Sequence, residues 1–243
     1  MDFSHFDVRL LEAGSVIGRN HVLAGLPNQD AVCVKRFEYG NILVVADGVG
    51  SDSHSELASQ AAVEAVIDVF SMMATEGIEE EDIAEYLCNL FTKHLQEKYD
   101  KYASTTCVFC AHLFEIGVFL GQIGDGICCG YQNGDSFVLS EKNADFANIV
   151  EALSPNCSPA LWKLYRMNST KTLELMIATD GIADDILPGK EAAFAHHLIS
   201  IFESSAIDGR NSNLLDMLRN WETPQSFDDK SIVLYHCILS EDE

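Results

Sequence analysis

The stretch NILVVADGVG, residues 41–50, decides the fold because a buried strand ends in it beside a carboxylate. The apolar run Ile42–Ala46 is typical of a strand buried in a sheet. Asp47 and Gly48 follow directly, so the strand presents an acid at its own end, next to a residue without a Cβ. Such a glycine lets the backbone turn sharply and its carbonyl face an ion. A single Asp-Gly junction of this kind is usually a surface turn, so the rest of the chain decides its meaning.

The same junction recurs along the chain. Asp125 lies in IGDG and Asp180 in IATDG, and the pair Asp228–Asp229 directly precedes the apolar run KSIVLYHCIL. In an antiparallel sheet the end of one strand lies level with the start of its neighbour, so these carboxylates are expected to meet at one edge. Clustered carboxylates must take up a proton or bind a cation. Oxygen-only ligands favour Mg²⁺ or Mn²⁺, and Asp30, in GLPNQDA, is placed to accept a hydrogen bond from metal-bound water.

The periodicity between these junctions predicts the fold class. Apolar residues recur at helical spacing after Ser55, over residues 83–95, and around 191–202 and 214–221. Short strand-like runs joined by tight turns separate the helices, and strands so close in sequence must pair antiparallel. We therefore predict an α/β (α+β) sandwich of antiparallel sheets covered by helices, with an irregular insert or flap at about residues 141–170.

Composition limits the classes of partner. The chain has 243 residues and a formal net charge of −23, so its surface repels nucleic-acid phosphates and anionic lipid headgroups. The first residues lack a basic and apolar leader, and no uninterrupted apolar stretch approaches the roughly 18–20 residues of a membrane helix. We therefore expect a cytoplasmic protein with no nucleic-acid or membrane partner. The eight cysteines, including Cys107 and Cys110 in a strand-like run, are expected to be reduced core thiols and not zinc ligands.

Six motifs, in order, resemble those of the metal-dependent serine/threonine protein phosphatases of type 2C. They are NQDA (28–31), VVADGVG (44–50), STTCVF (104–109), IGDG (123–126), ATDGIADD (178–185) and DDKSIVL (228–234). The segment GRNHVLAGLPNQD is especially similar to the shorter bacterial branch of the family. The resemblance implies a single domain over residues 1–243, in which two central antiparallel sheets are flanked by paired antiparallel helices in a four-layer sandwich.

The resemblance also implies a chemistry and a set of roles. A hydroxide that bridges two Mn²⁺ or Mg²⁺ ions would hydrolyse phosphoserine or phosphothreonine in a substrate of a serine/threonine kinase, and the protein would be a monomer. By resemblance, the metal ligands are Asp47, the Gly48 carbonyl, Asp180 and Asp228. Asp30 and Gln29 would orient bound water, and Asp125 and Asp184 would offer a looser third site.

The chain departs from the family pattern at three positions. Gln29 stands where many members have Glu, and Val49 stands where many have His. The arginine that commonly holds the substrate phosphate is missing, and Arg19 and His21 are the nearest substitutes, although Arg19 is equally well read as a solvated loop charge. These departures leave two alternatives to an active protein phosphatase: a weak or inactive module that binds phosphoproteins, or a hydrolase of small phosphoesters.

Overall fold

The computed structural model describes residues 6–140, 151–167, 171–221 and 227–239, and these build two five-stranded sheets. Every named strand pair is antiparallel. Sheet A contains, in spatial order, β1 (Phe6–Val16), β10 (Lys230–Leu239), β9 (Thr172–Ala178), β6 (Ile127–Gln132) and β7 (Asp135–Ser140). Sheet B contains β2 (Asp30–Phe37), β3 (Gly40–Asp47), β4 (Cys107–Leu113), β5 (Gly117–Ile123) and β8 (Lys163–Met167).

Helices cover the outer face of each sheet, which confirms the predicted sandwich. Helices α2 (Ser55–Glu76) and α3 (Ile83–Lys98) pack against sheet B. Helices α5 (Glu191–Ser204) and α6 (Arg210–Arg219) pack against sheet A. A third apolar cluster lies between the sheets, so the layers run helix, sheet, sheet, helix.

Strand β3 shows why the run Ile42–Ala46 is apolar without alternation. Ile42, Val44 and Ala46 point into the cluster under the helices, whereas Leu43 and Val45 point into the cluster between the sheets. Successive side chains of a strand face opposite sides, and here both sides are buried. A strand buried on both faces is held firmly, and it therefore fixes the position of Asp47 at its end.

Helix α2 is long and apolar enough to cross a membrane by length and composition alone. More than half of its most apolar window is buried in the protein, with Val66 and Phe70 fully enclosed. Core helices of soluble proteins pass the same test, so this feature is weak evidence for a membrane span.

Three local features of the structure differ from the sequence predictions. The segment predicted as an irregular flap contains β8, which forms the edge of sheet B beside β5, while 141–150 and 168–170 lie outside the described residues. Helix α6 begins four residues before the predicted start, at Arg210. Two short helices, α1 (Arg19–Ala24) and α4 (Asp180–Ala183), were not predicted, because they are too short for an apolar period.

The cysteines are free thiols, as expected. Cys107 lies in the cluster under the helices and Cys110 in the cluster between the sheets, so the two point to opposite faces of β4. Six of the eight are buried, and burial raises the pKa of Cys129 to about 12. Cys33 and Cys157 are partly exposed.

Candidate active site

The backbone of Asp47 is anchored by Thr105 and Thr106, which directly precede β4. The Asp47 carbonyl accepts hydrogen bonds from the Thr106 N–H and from the Thr105 hydroxyl, each at 2.8 Å. The Asp47 N–H donates to the Thr106 hydroxyl at 3.3 Å. The threonines of the STTCVF motif therefore hold the end of β3 in place from β4, its partner strand.

Asp180 reaches the same edge from the other sheet. Strand β9 ends at Ala178, and Asp180 opens helix α4 directly after Thr179. The Thr179 hydroxyl donates a hydrogen bond of 2.9 Å to the Asp30 carboxylate, which lies at the start of β2 in sheet B. This bond joins the two sheets where their acidic strand ends meet, as the sequence pattern predicts.

The pKa shifts show that these acids lie within each other's fields. Burial is the largest cause that raises the pKa of Asp47 well above its usual range, followed by the charges of Asp30, Asp180 and Asp228. Burial likewise raises the pKa of Asp30 to about 7 and that of Asp180 to about 6. Because each anion is desolvated and repelled by the others, the cluster favours a bound proton or cation.

Asp125 and Asp184 lie beside Asp180. Their charges, together with that of Asp228, raise the Asp180 pKa further. Asp125 sits in the turn after β5, next to Gly124, and Asp184 directly follows α4. Both carboxylates are therefore close enough to Asp180 to affect its ionisation.

Several oxygen atoms in the cluster are buried and lack hydrogen-bond partners among the described residues. They are one carboxylate oxygen of Asp30, one of Asp180 and the side-chain amide oxygen of Gln29. Buried polar atoms are rarely left unpaired, because the desolvation penalty is then not offset. Oxygen donors of this kind suit Mg²⁺ or Mn²⁺, so the residues present fit the cations that the motifs imply.

The two glycines beside the acids are required by close packing. A Cβ on Gly48 would lie 2.5 Å from the Ser55 carbonyl oxygen at the start of α2. A Cβ on Gly181 would overlap the Asp229 carbonyl oxygen. At each of these two Asp-Gly junctions, the absence of a Cβ therefore allows the backbone beside the acid to pack in direct contact with a neighbouring segment.

Asp229 organises the site in a way that the sequence analysis missed. It is 1% exposed, and its carboxylate accepts hydrogen bonds of 2.6 Å from the Gly18 and Gln29 N–H groups. His21 Nδ1 lies 2.8 Å from the same carboxylate. The only available signal was an acid pair before a strand, and the fold gives the two acids different surroundings: Asp229 is buried and Asp228 is exposed.

Of the two candidate phosphate-binding residues, the structure brings His21 to the acids. Donor atoms of His21, Asp228 and Asp229 all lie within 4.8 Å of one another, the one such group found among the described residues. Arg19 is exposed in the first turn of α1, and it forms no hydrogen bond or ion pair with a described residue of the site. Asp47 lies outside this group and interacts with Asp30 and Asp180 through both charge and side-chain hydrogen bonding.

The protein phosphatase 2C family model matches residues 17–219, most of the chain. The chain therefore belongs to the protein phosphatase 2C family. The bacterial-type resemblance predicted from the six motifs is confirmed. A search of curated proteins gave no significant sequence match.

Solved structures share the fold at low sequence identity. The serine/threonine phosphatase Stp1 from Staphylococcus aureus is 17% identical, with a TM-score of 0.61, and the match covers 96% of this chain and 95% of that one. The catalytic domain of the phosphatase PstP, solved with two manganese ions, is 16% identical with a TM-score of 0.63, over 96% and 99% of the two chains. RsbX, solved with magnesium, is 20% identical with a TM-score of 0.58, over 93% of each chain.

Proposed function

We propose that this protein is an active phosphatase that hydrolyses phosphoserine and phosphothreonine in proteins with two Mn²⁺ or Mg²⁺ ions. The observation that carries the proposal is the buried acid cluster at the joint edge of the two sheets, with raised pKa values and unpaired oxygens, in a chain of this family. Well-packed apolar residues would stabilise this edge of the sheets better than mutually repelling carboxylates do, so the cluster serves a purpose other than stability.

The metal ligands in this proposal are Asp47, the Gly48 carbonyl, Asp180 and Asp228, with Asp125 and Asp184 beside a weaker third position. When bound, divalent cations lower the pKa of water and neutralise phosphoryl oxygens. The remaining work falls to the protein, which must bind, orient and hold the groups around that centre.

Each neighbouring residue has a defined task. The Thr179 hydroxyl holds the Asp30 carboxylate, so Asp30 keeps one unpaired oxygen to orient water. Gln29 is held through its N–H by Asp229, and its amide oxygen is a second acceptor for water. No side chain of the protein is needed as a nucleophile.

His21 is the residue we assign to the substrate phosphate, ahead of Arg19. Asp229 engages its Nδ1, which leaves Nε2 as the nitrogen that donates to a phosphate oxygen. Arg19, exposed in the first turn of α1, is a second candidate contact for the substrate.

The substrate class follows from charge and family. A surface with a net charge of −23 attracts basic segments of partner proteins and repels nucleic acids and anionic membranes. We propose a monomeric, cytoplasmic enzyme that opposes a serine/threonine kinase.

The test is turnover of p-nitrophenyl phosphate and of a panel of phosphopeptides and phosphometabolites by the purified chain. We expect hydrolysis with Mn²⁺, none in EDTA, and loss of turnover in Asp47→Asn. Asp216→Asn, which changes an exposed acid paired with Arg219, is the matched control and retains full turnover. Undiminished turnover in Asp47→Asn contradicts the proposal, and turnover confined to phosphometabolites reassigns the protein as a small-phosphoester hydrolase.

Gln29 supports one alternative, a module that binds phosphoproteins with little or no turnover. An amide adds no negative charge where many members have a carboxylate, so affinity for one ion is lower. The substitution Gln29→Glu distinguishes an active phosphatase from a binding module. In an active enzyme, it should increase both the affinity for Mn²⁺ and the turnover. Phosphopeptide binding by calorimetry without turnover, in both the wild type and Gln29→Glu, supports the binding module.

A further inference from the structure

Two cysteines outside the acid cluster lie in direct contact. The sulfur of Cys88, on α3, is 3.1 Å from the sulfur of Cys157, 69 residues further along the chain. A disulfide brings two sulfurs to about 2.05 Å, so roughly 1 Å of approach separates this pair from a covalent bond. Neither the mechanism proposed above nor the core packing requires two thiols in contact at this place.

We propose that Cys88 and Cys157 are a modification site, which hydroperoxides oxidise to a reversible disulfide. The contact between the sulfurs and the unequal exposure of the two residues carry this inference, and it does not depend on the proposed phosphatase activity.

The two thiols have different surroundings, which gives them different roles. Cys157 is partly exposed, whereas Cys88 is 6% exposed. The hydrogen bond between the two sulfurs is the largest cause that lowers the pKa of Cys157 to about 7, and the same contact raises the pKa of Cys88. A partly exposed thiolate next to a second thiol is the arrangement that favours attack by the first and resolution by the second.

The chemistry balances with a hydroperoxide as the oxidant. The Cys157 thiolate attacks the terminal oxygen, the O–O bond breaks, and Cys157 becomes a sulfenic acid, while the leaving alkoxide takes up the proton that the thiol had lost. Cys88 then attacks the Cys157 sulfur, and the S–O bond breaks as hydroxide leaves with the Cys88 proton as water. The two thiols lose two electrons, and the hydroperoxide is reduced to an alcohol and water.

The bond would join α3 to a segment that borders the acid cluster. Four residues before Cys157, Leu153 and Thr105 exchange two backbone hydrogen bonds, of 3.0 and 2.8 Å. The Thr105 hydroxyl in turn bonds to the Asp47 carbonyl. Oxidation therefore clamps the segment that packs against the anchor of Asp47, and the oxidised protein should melt at a higher temperature than the reduced one.

The experiment treats the folded, metal-free protein with a modest excess of hydrogen peroxide and maps its peptides without reduction. We expect a Cys88–Cys157 crosslink, an intact mass lower by two hydrogen atoms, and reversal by dithiothreitol. Cys33→Ser, which removes the other partly exposed thiol, is the matched control and forms the same crosslink. Cys157→Ser forms none.

The rate of thiol labelling in the wild type tests the proposal without any variant, so poor folding of a variant cannot affect the result. In the reduced wild type, iodoacetamide should modify Cys157 well before the fully buried Cys107 and Cys110. Equal labelling rates, a crosslink between other cysteines, or Cys157 oxidised to sulfinic acid with Cys88 still a thiol would each overturn the proposal.

Discussion

Asp30 and Asp47 are direct partners in the register of sheet B, one at the first residue of β2 and the other at the last residue of β3. Like charges placed opposite each other on neighbouring strands destabilise a sheet. The fold accepts this pair at the edge where β9 also delivers Asp180. The site is therefore built from groups that repel one another until a counter-charge arrives.

Removing one of these charges should stabilise the metal-free protein. In EDTA, Asp47→Asn should melt above the wild type, because it removes a desolvated anion that three other carboxylates repel. With Mn²⁺ the order should reverse, since a ligand that binds only the folded state at 100 times its Kd adds about 2.7 kcal/mol. Thermal melts of both proteins in both conditions test this, and a variant less stable than the wild type in EDTA contradicts it.

Metal binding should release protons, and fewer at higher pH. At pH ~6 the carboxyls with raised pKa values, Asp30 at about 7 and Asp180 at about 6, are partly protonated and must lose those protons to bind a cation. At pH ~8 these two carboxyls are largely ionised, so their share of the proton release falls. Titration calorimetry of Mn²⁺ in two buffers of different ionisation enthalpy measures the number of protons. A release that grows between pH 6 and 8 would be the wrong sign.

Two glycines in the same loop should respond differently to alanine. Gly48→Ala places a methyl group 2.5 Å from the Ser55 carbonyl oxygen, which should cost roughly 1–3 kcal/mol of stability and weaken Mn²⁺ binding. Gly50→Ala is the matched control, because the nearest atom to its new methyl group is the Gln29 amide oxygen at 3.6 Å. We expect that change to remain within about 0.5 kcal/mol of the wild type in denaturant titrations. Equal losses for both variants contradict the packing argument.

His112 should make the protein less stable in acid. Burial lowers its pKa to about 4 from 6.5, and its Nδ1 lies 2.9 Å from the Tyr235 hydroxyl. Because the unfolded chain takes up this proton first, the contribution is fully present above pH ~6.5 and is lost as the pH falls towards 4, by about 3 kcal/mol in all. The difference in unfolding free energy between the wild type and His112→Gln, measured across that window in EDTA, should shrink with acid. A difference that stays constant across this window would mean that the pKa of His112 is the same in the folded and unfolded chains, which contradicts the prediction.

The sequence signal for the acid cluster is local. Each of Asp47, Asp125 and Asp180 follows an apolar run and precedes a glycine, and the register of antiparallel strands then places strand ends together. The layers follow from the same logic, since continuous apolar runs require two buried faces.

The sequence does not predict contacts between residues far apart in the chain. The hydrogen bonds of Asp229 to Gly18 and Gln29 span 211 and 200 residues, and no local pattern records them. Strand β8 was missed because it is an edge strand with exposed Tyr165 and Arg166, and so it lacks a buried apolar run. Its backbone pairing with β5 makes it a strand, and its own residue pattern does not indicate that pairing.

The position of β10 between β1 and β9 has a consequence for biosynthesis. Among the described strands, β1 pairs only with β10, so it has no partner in sheet A until β10 has been made. The same late segment brings Asp228 and Asp229 to Gly18 and Gln29. Under the proposed function, we therefore expect a chain truncated before β10, which lacks these contacts, to show no metal-dependent turnover.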